Sequence, residues 1–240
     1  GLLIPVLGAY HHKKFLALVS FSIALVFLVV AHFKSGFSPD RPKPTSLVYF
    51  LDADSKEAVW ATNNIVPDEW IETFTGKEKK SYARDLKFNS KYQKGFTYAA
   101  PAPVENVPAP LINVLKDTIH GNQRIITISA VPQRRVDMLE VIADNATIYA
   151  CSVNGIAMEE KFLSGKKRGN RLLTHYISDN DSTILNITLS KDDQPELTFF
   201  EVSRDLLNNT QFTVPPRPAN AIPFPFIVND AVIVKKRIKL

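Results

Sequence analysis

Residues 183–203, TILNITLSKDDQPELTFFEVS, decide the fold class. In the first half Ile184, Asn186 and Thr188 alternate with Leu185, Ile187 and Leu189, so an extended segment here has one apolar side and one wet side. Asp192-Asp193 interrupts the pattern, and ELTFFEVS resumes it with β-branched and aromatic residues.

Working outward, the same signal recurs along the second half of the chain. NVLKDTIH (113–120), RIITISAV (124–131), DMLEVIAD (137–144), ATIYACSV (146–153) and LLTHYIS (172–178) are runs of strand length. They are punctuated by His120-Gly121-Asn122, Pro132-Gln133, Asp144-Asn145, Asn154-Gly155 and Asp179-Asn180-Asp181. Strands at about ten-residue spacing with turn residues between them are the pattern of an all-β sandwich. The expected class is therefore mainly β, an antiparallel β-sandwich with a short helix, preceded by one transmembrane α-helix.

The first half is more mixed. SLVYFLDAD (46–54), a turn through Lys56, and EAVWATN (57–63) read as a hairpin. VPDEWIETF (66–74) carries Pro67 followed by acids, with Trp70, Ile71 and Phe74 at helical spacing, which predicts a short helix with Pro67 in its first turn. Residues 76–94 are charged and weakly periodic, and AAPAPVENVPAP (99–110) reads as a proline-rich connector in extended form. This middle stretch is expected to be the least regular.

Upstream lies a different kind of sequence. Residues 15–33, FLALVSFSIALVFLVVAHF, contain no acid or base except His32. As a helix they reach about 28 Å at ~1.5 Å per residue, close to the ~30 Å hydrocarbon core of a bilayer. His11, His12, Lys13 and Lys14 flank one side, while Lys34, Ser35, Gly36, Pro39 and Pro42 flank the other. A cleavable signal peptide is the competing reading, with the basic cluster as its n-region and Val29-Val30-Ala31 as its cleavage site. Residues 1–10, GLLIPVLGAY, oppose it, because an apolar stretch before the basic cluster reads as the end of a preceding membrane helix. The expected organisation is thus residues 1–10 from that helix, a transmembrane helix over 15–33, a Pro-rich linker over 35–45, and a β-rich domain over 46–240.

Charge narrows the partners without fixing the side of the membrane. The net charge of +5 is spread out, with clusters at 166–171 (KKRGNR), read as a solvated hairpin tip, and 235–239 (KKRIK). Neither is interleaved with stacking aromatics, so nucleic acid is not an expected partner, and anionic lipid headgroups are a candidate partner only because a basic surface beside a bilayer gains modestly from them. Lys13 and Lys14 stand against Lys34, Arg41 and Lys43, a margin of one base toward a cytoplasmic C-terminal domain. The single Cys151 cannot form an internal disulfide and reads as a buried strand residue.

No constellation for chemistry emerges. His120 and His175 are the histidines downstream of the apolar helix, and neither has a second ligand at helical or hairpin spacing. Asp52 and Asp54 form a D-x-D pair without the further oxygen ligands and glycine of a calcium loop, so a hairpin turn explains both. No nucleophile elbow, phosphate loop or dinucleotide fingerprint is present. Asn145-Ala146-Thr147, Asn186-Ile187-Thr188 and Asn208-Asn209-Thr210 match the glycosylation triplet. No catalytic, cofactor-binding or metal-ligating residue is therefore assigned.

Residues 46–54 (SLVYFLDAD), 58–62 (AVWAT) and Asp68-Glu69-Trp70 resemble the segment after the last membrane helix in multi-spanning zinc peptidases. These are the endoplasmic-reticulum metallopeptidase and vacuolar membrane protease group, with bacterial relatives, related to aminopeptidase Y. Ser203-Arg204-Asp205 and DAVIVK (230–235) are similar to the ending of such proteins, and the resemblance covers most of residues 46–240. It implies a parent exopeptidase acting by zinc-activated water, with the two-zinc domain upstream and its ligands without counterparts here. It also implies an extracytoplasmic location, periplasmic or lumenal, against the charge count.

The expected function is that of a non-catalytic C-terminal membrane helix and accessory β-domain of such a peptidase. Its partners would be the membrane and the rest of its own polypeptide, with zinc only in the parent. The alternative is a membrane-tethered β-sandwich binding module for a glycan, peptide or protein. Its aromatic candidates are Trp60, Trp70, Tyr92, Phe96 and Tyr98, with Trp60 and Trp70 expected in the core. A purely structural role, bracing the membrane part, is the third class.

Overall fold

The computed structural model describes residues 11–76, 86–90, 93–163 and 170–240. Tyr92 and residues 1–10 and 164–169 lie outside these, and so does most of the basic cluster at 166–171. The chain divides into two compact units, one holding Gly1–Lys43 with Ala219–Ala221 and the other Pro44–Pro218 with Ile222–Leu240.

The first unit is dominated by α1 (Lys13–Lys34), a helix of 22 residues with no buried residue. It is long and apolar enough to cross a membrane. Ser35 ends it, donating its N–H and hydroxyl to the His32 carbonyl.

The second unit is mainly β. In chain order, with the strand that begins at the unit boundary, it contains β1 (Lys43–Thr45), β2 (Val48–Asp52), β3 (Glu57–Thr62), α2 (Glu69–Thr75), β4 (Asn89–Ser90), β5 (Gln93–Lys94) and β6 (Tyr98–Ala102). There follow β7 (Leu111–His120), β8 (Gln123–Val131), β9 (Met138–Asp144), β10 (Ile148–Val153), β11 (Ile156–Ala157) and α3 (Glu160–Leu163). The chain closes with β12 (Arg171–Tyr176), β13 (Thr183–Ser190), β14 (Glu196–Ser203), β15 (Ala221–Pro223) and β16 (Ala231–Lys239). All seven runs expected from residue 113 onward are strands.

Two sheets carry the core. One has five strands in the order β11-β10-β13-β8-β7, the other seven in the order β12-β9-β14-β16-β2-β3-β6. Alternation in β13 does what its sequence says, since Leu185, Ile187 and Leu189 join a core cluster while Asn186 faces outward and bonds Thr127 and Ser152. That cluster draws Ile126 and Ile128 from the five-stranded sheet and Leu139, Val141, Leu173 and Phe199 from the seven-stranded one. The Asn154-Gly155 turn between β10 and β11 has positive φ at both residues (48° and 81°), which suits the twist of a two-residue hairpin.

Three features depart from the sequence expectations. The large sheet is not wholly antiparallel, because β16 runs parallel to β2, with Ile233 opposite Phe50. Part of the proline-rich connector is β6, whose Pro101 is tolerated because the strand lies at the sheet edge, and Val107 beyond it is buried. Helix α2 starts after Asp68, whose Oδ1 accepts the Ile71 N–H at 2.9 Å, so Pro67 precedes the cap and does not occupy the first turn.

The two faces of the large sheet are covered differently. Phe50, Phe200, Met138 and Ile142 share one face with Phe88 and Phe96, the latter two from the stretch expected to be irregular. Tyr49, Leu51, Val232 and Val234 on the other face pack with Trp70 and Ile71 of α2 and with Leu206. Trp70 is buried as expected, but Trp60 is half-buried, its ring 5.2 Å from Tyr49 and 4.9 Å from Phe74.

Candidate functional site

The residues weighed for chemistry do not converge. His120 sits exposed at the β7–β8 turn, and His175 lies in β12 with Nδ1 2.9 Å from the Thr183 hydroxyl. Burial holds the His175 imidazolium below its ordinary pKa, so the ring favours its neutral form. Cys151 is buried in the core shared by the two sheets. Among the described residues no three His, Cys, Asp or Glu side chains approach closely enough to hold a metal ion.

Asp52 and Asp54 are structural in their contacts. Asp52 Oδ1 accepts the N–H groups of Asp54 and Ser55, and its Oδ2 lies 2.6 Å from Lys235 Nζ. Burial works against ionisation of Asp52, yet the Lys235 hydrogen bond and charge, with the two backbone donors, outweigh it and hold the carboxyl below its usual value. Asp54 takes Lys236 Nζ at 2.7 Å and the Arg237 N–H at 2.7 Å. Half of the basic run at 235–239 is thus spent on the β2–β3 turn and is not a free patch.

Two buried carboxyls were not singled out from sequence. Glu140 is completely buried beside Phe200; its Oε2 accepts the Thr174 hydroxyl at 2.7 Å and Arg171 Nε lies 3.5 Å from Oε1. Burial pushes its carboxyl up to about 7 against the pull of Thr174 and Arg171. Glu201, at 1% exposure, is likewise pushed by burial to about 7, opposed by the charge of Arg134. Arg134 donates to the Ser203 hydroxyl and to the carbonyls of Glu201 and Val232.

Carboxyls poised near neutrality are what general acid and base catalysis uses. These two cannot act as a pair, because Glu140 pairs across the ladder with Phe200, the residue before Glu201, and successive strand residues point to opposite faces. The sequence signal was available. Met138 and Ile142 flank Glu140 on its own face, so strict alternation placed an acid in an apolar row.

Among the described residues, a cleft of about 660 Å³ opens where β11 of one sheet and β12 of the other come near α3. Ile156, Met158, Phe162, Leu173, His175 and Tyr176 are among its lining residues. Ile156 and Tyr176 are highly exposed, and the wall is mostly apolar. Of the aromatics expected for binding, Phe96 is instead buried, its ring 6.0 Å from Phe88, and Tyr98 is half-buried with its hydroxyl donating to the Ile65 carbonyl.

No protein-family model matches the chain, and no characterised protein matches it in sequence.

Proposed function

We propose that the chain is a non-catalytic, membrane-anchored accessory module in which α1 spans the bilayer and residues 46–240 form a β-sandwich on the extracytoplasmic side. Its parent is a membrane-bound zinc exopeptidase of the group that the sequence resembles. The observation that carries the anchor is α1 itself, apolar around its circumference with no residue buried, because such a surface is stable in lipid and costly in water. Support for the peptidase context is spatial. The stretches that resemble that group in β2, β3 and β16 lie side by side, and the Leu206 N–H, just after Ser203-Arg204-Asp205, donates to the carbonyl of Asp230.

The test is the native polypeptide. Its mass and upstream coding sequence should reveal further membrane helices and a dinuclear zinc motif. A reading frame that starts near Gly1 would end the peptidase proposal. Purified by itself with added zinc, the chain should hydrolyse no peptide, and metal-dependent hydrolysis lost on His175→Ala would contradict the non-catalytic role.

A second reading is favoured by the cleft at β11 and β12, which would suit a partner presenting an apolar side chain or short peptide. On this reading a Tyr176→Ala change abolishes binding to the peptidase part or to a peptide ligand while leaving the fold intact.

A further inference from the structure

Resting on the reading of α1 as a membrane span, we infer that the loop after β3 and the segment formed by β15 and the loop after it make a bilayer-docking surface, inserting Ile65, Val66, Ile222 and Phe226 into the lipid interface. Their exposures are 75%, 66%, 42% and 81%, the values of side chains facing solvent where burial would be expected for their size.

Both loops are fastened to the point where the chain arrives from α1. Asn64, next to Ile65, donates its side-chain amide to the Pro44 carbonyl at 2.8 Å and accepts the Ser46 N–H at 2.8 Å. On the other side the Thr45 carbonyl accepts the Phe224 N–H at 2.9 Å. Residues 35–43, nine in number, link Lys34 to Pro44, and an extended chain of that length reaches about 30 Å at most. Any bilayer holding α1 is therefore within reach of Pro44 and of the loops bonded to it.

The chemistry of the second loop suits lipid and not water. Residues 222–228, IPFPFIV, contain no polar side chain. Pro223 and Pro225 have no N–H, and the N–H of Phe224 is already bonded, so immersion strands few donors. Phe226 stands at φ 65°, an unfavourable conformation for a bulky residue, and Asn229 holds the turn by donating to the carbonyls of Phe224 and Ile227. The result is an apolar ring at a loop tip, a side chain of the kind that interfacial segments bury at the boundary of headgroups and acyl chains.

The test places nitroxide labels, one at a time, on Ile65→Cys, Phe226→Cys, Leu25→Cys and Ser55→Cys in a Cys151→Ala background. The full chain is reconstituted in phosphatidylcholine vesicles. Ser55 lies in the β2–β3 turn, at the far end of β2 from Pro44. Collisions with a water-soluble nickel chelate should be several-fold rarer at Ile65→Cys and Phe226→Cys than at Ser55→Cys, and collisions with oxygen more frequent. Loop sites as wet as Ser55→Cys, with Leu25→Cys shielded, overturn the docking surface and leave the anchor standing. Shielded loop sites with spin–spin broadening between labels, abolished by dilution with unlabelled chain, would assign the surface to a second copy and also overturn it. A wet Leu25→Cys removes the anchor reading and this inference together.

Discussion

Lys235 of β16 faces Asp52 of β2 at the last position of the parallel pair, with Nζ 2.6 Å from Oδ2 and both side chains largely buried. The contact joins residues 183 positions apart and ties the β2–β3 turn to the last strand. Removing one partner leaves the other charged group partly buried and unpaired.

Asp52→Ala should therefore destabilise the β unit by about 1.5–3 kcal/mol in urea denaturation, the range for a hydrogen bond to a charged group. Asp52→Ala/Lys235→Met should cost less than the sum of the two single changes, and additivity would show that the pair does not interact. Because the folded carboxyl is held below its ordinary value, the contribution is present above the unfolded value near 4 and lost as pH falls through the folded one.

Glu140 and Glu201 work with the opposite sign. Each has its folded carboxyl raised to about 7, above the ordinary value of 4.5, so between these values the folded state binds protons that the unfolded state has released. Stability falls as pH rises through that window, by an amount on the order of 3 kcal/mol per group. Glu140→Gln, neutral at every pH, should flatten the decline measured between pH 5 and pH 8. A wild type equally stable at both values would show that neither carboxyl is shifted.

Phe88 tests the cover over one face of the large sheet. It is fully buried, 6.0 Å from Phe96 and 5.6 Å edge-on to Phe200. Phe88→Ala should cost about 3–5 kcal/mol, as for other buried Phe truncations. A loss below ~1 kcal/mol would mean that this stretch lies on the sheet without sealing it.

Topology can be read by modification. In microsomes that glycosylate, the extracytoplasmic placement predicts glycan at Asn145 and Asn208, both exposed, and none at Asn186, which sits within β13 bonded to Thr127. A Cys at Asn180 should likewise react with an impermeant maleimide while buried Cys151 stays silent. Glycan-free protein with maleimide labelling only after permeabilisation would place the domain in the cytoplasm.

β13 was legible because it buries one face, which leaves period-two alternation in the sequence, whereas exposed β7 and doubly buried β9 and β14 were legible from their β-branched and aromatic content and the turn residues around them. The contacts of Phe88 and Phe96 were not, because two aromatics can cap a sheet from a loop without any periodic pattern. The neighbourhood of β2 and β16 was equally hidden, since both are apolar on their two faces and nothing local says which strand each will adjoin. The cleft at β11 and β12 depends on where two separate sheets end, a property that no single segment carries.

That parallel pairing has a consequence for biosynthesis. β16 inserts between β14 and β2, so the middle of the large sheet stays open until residues 231–239 have left the ribosome. Until then β2 and β14 each present an unpaired apolar edge, the condition under which nascent chains pair wrongly or aggregate. Folding of this unit therefore waits for its last strand and is slow for its size, as expected where the decisive contacts are so far apart in sequence. A ribosome stalled before residue 231 would carry a chain that binds chaperones and resists compaction, however many of its earlier hairpins have formed.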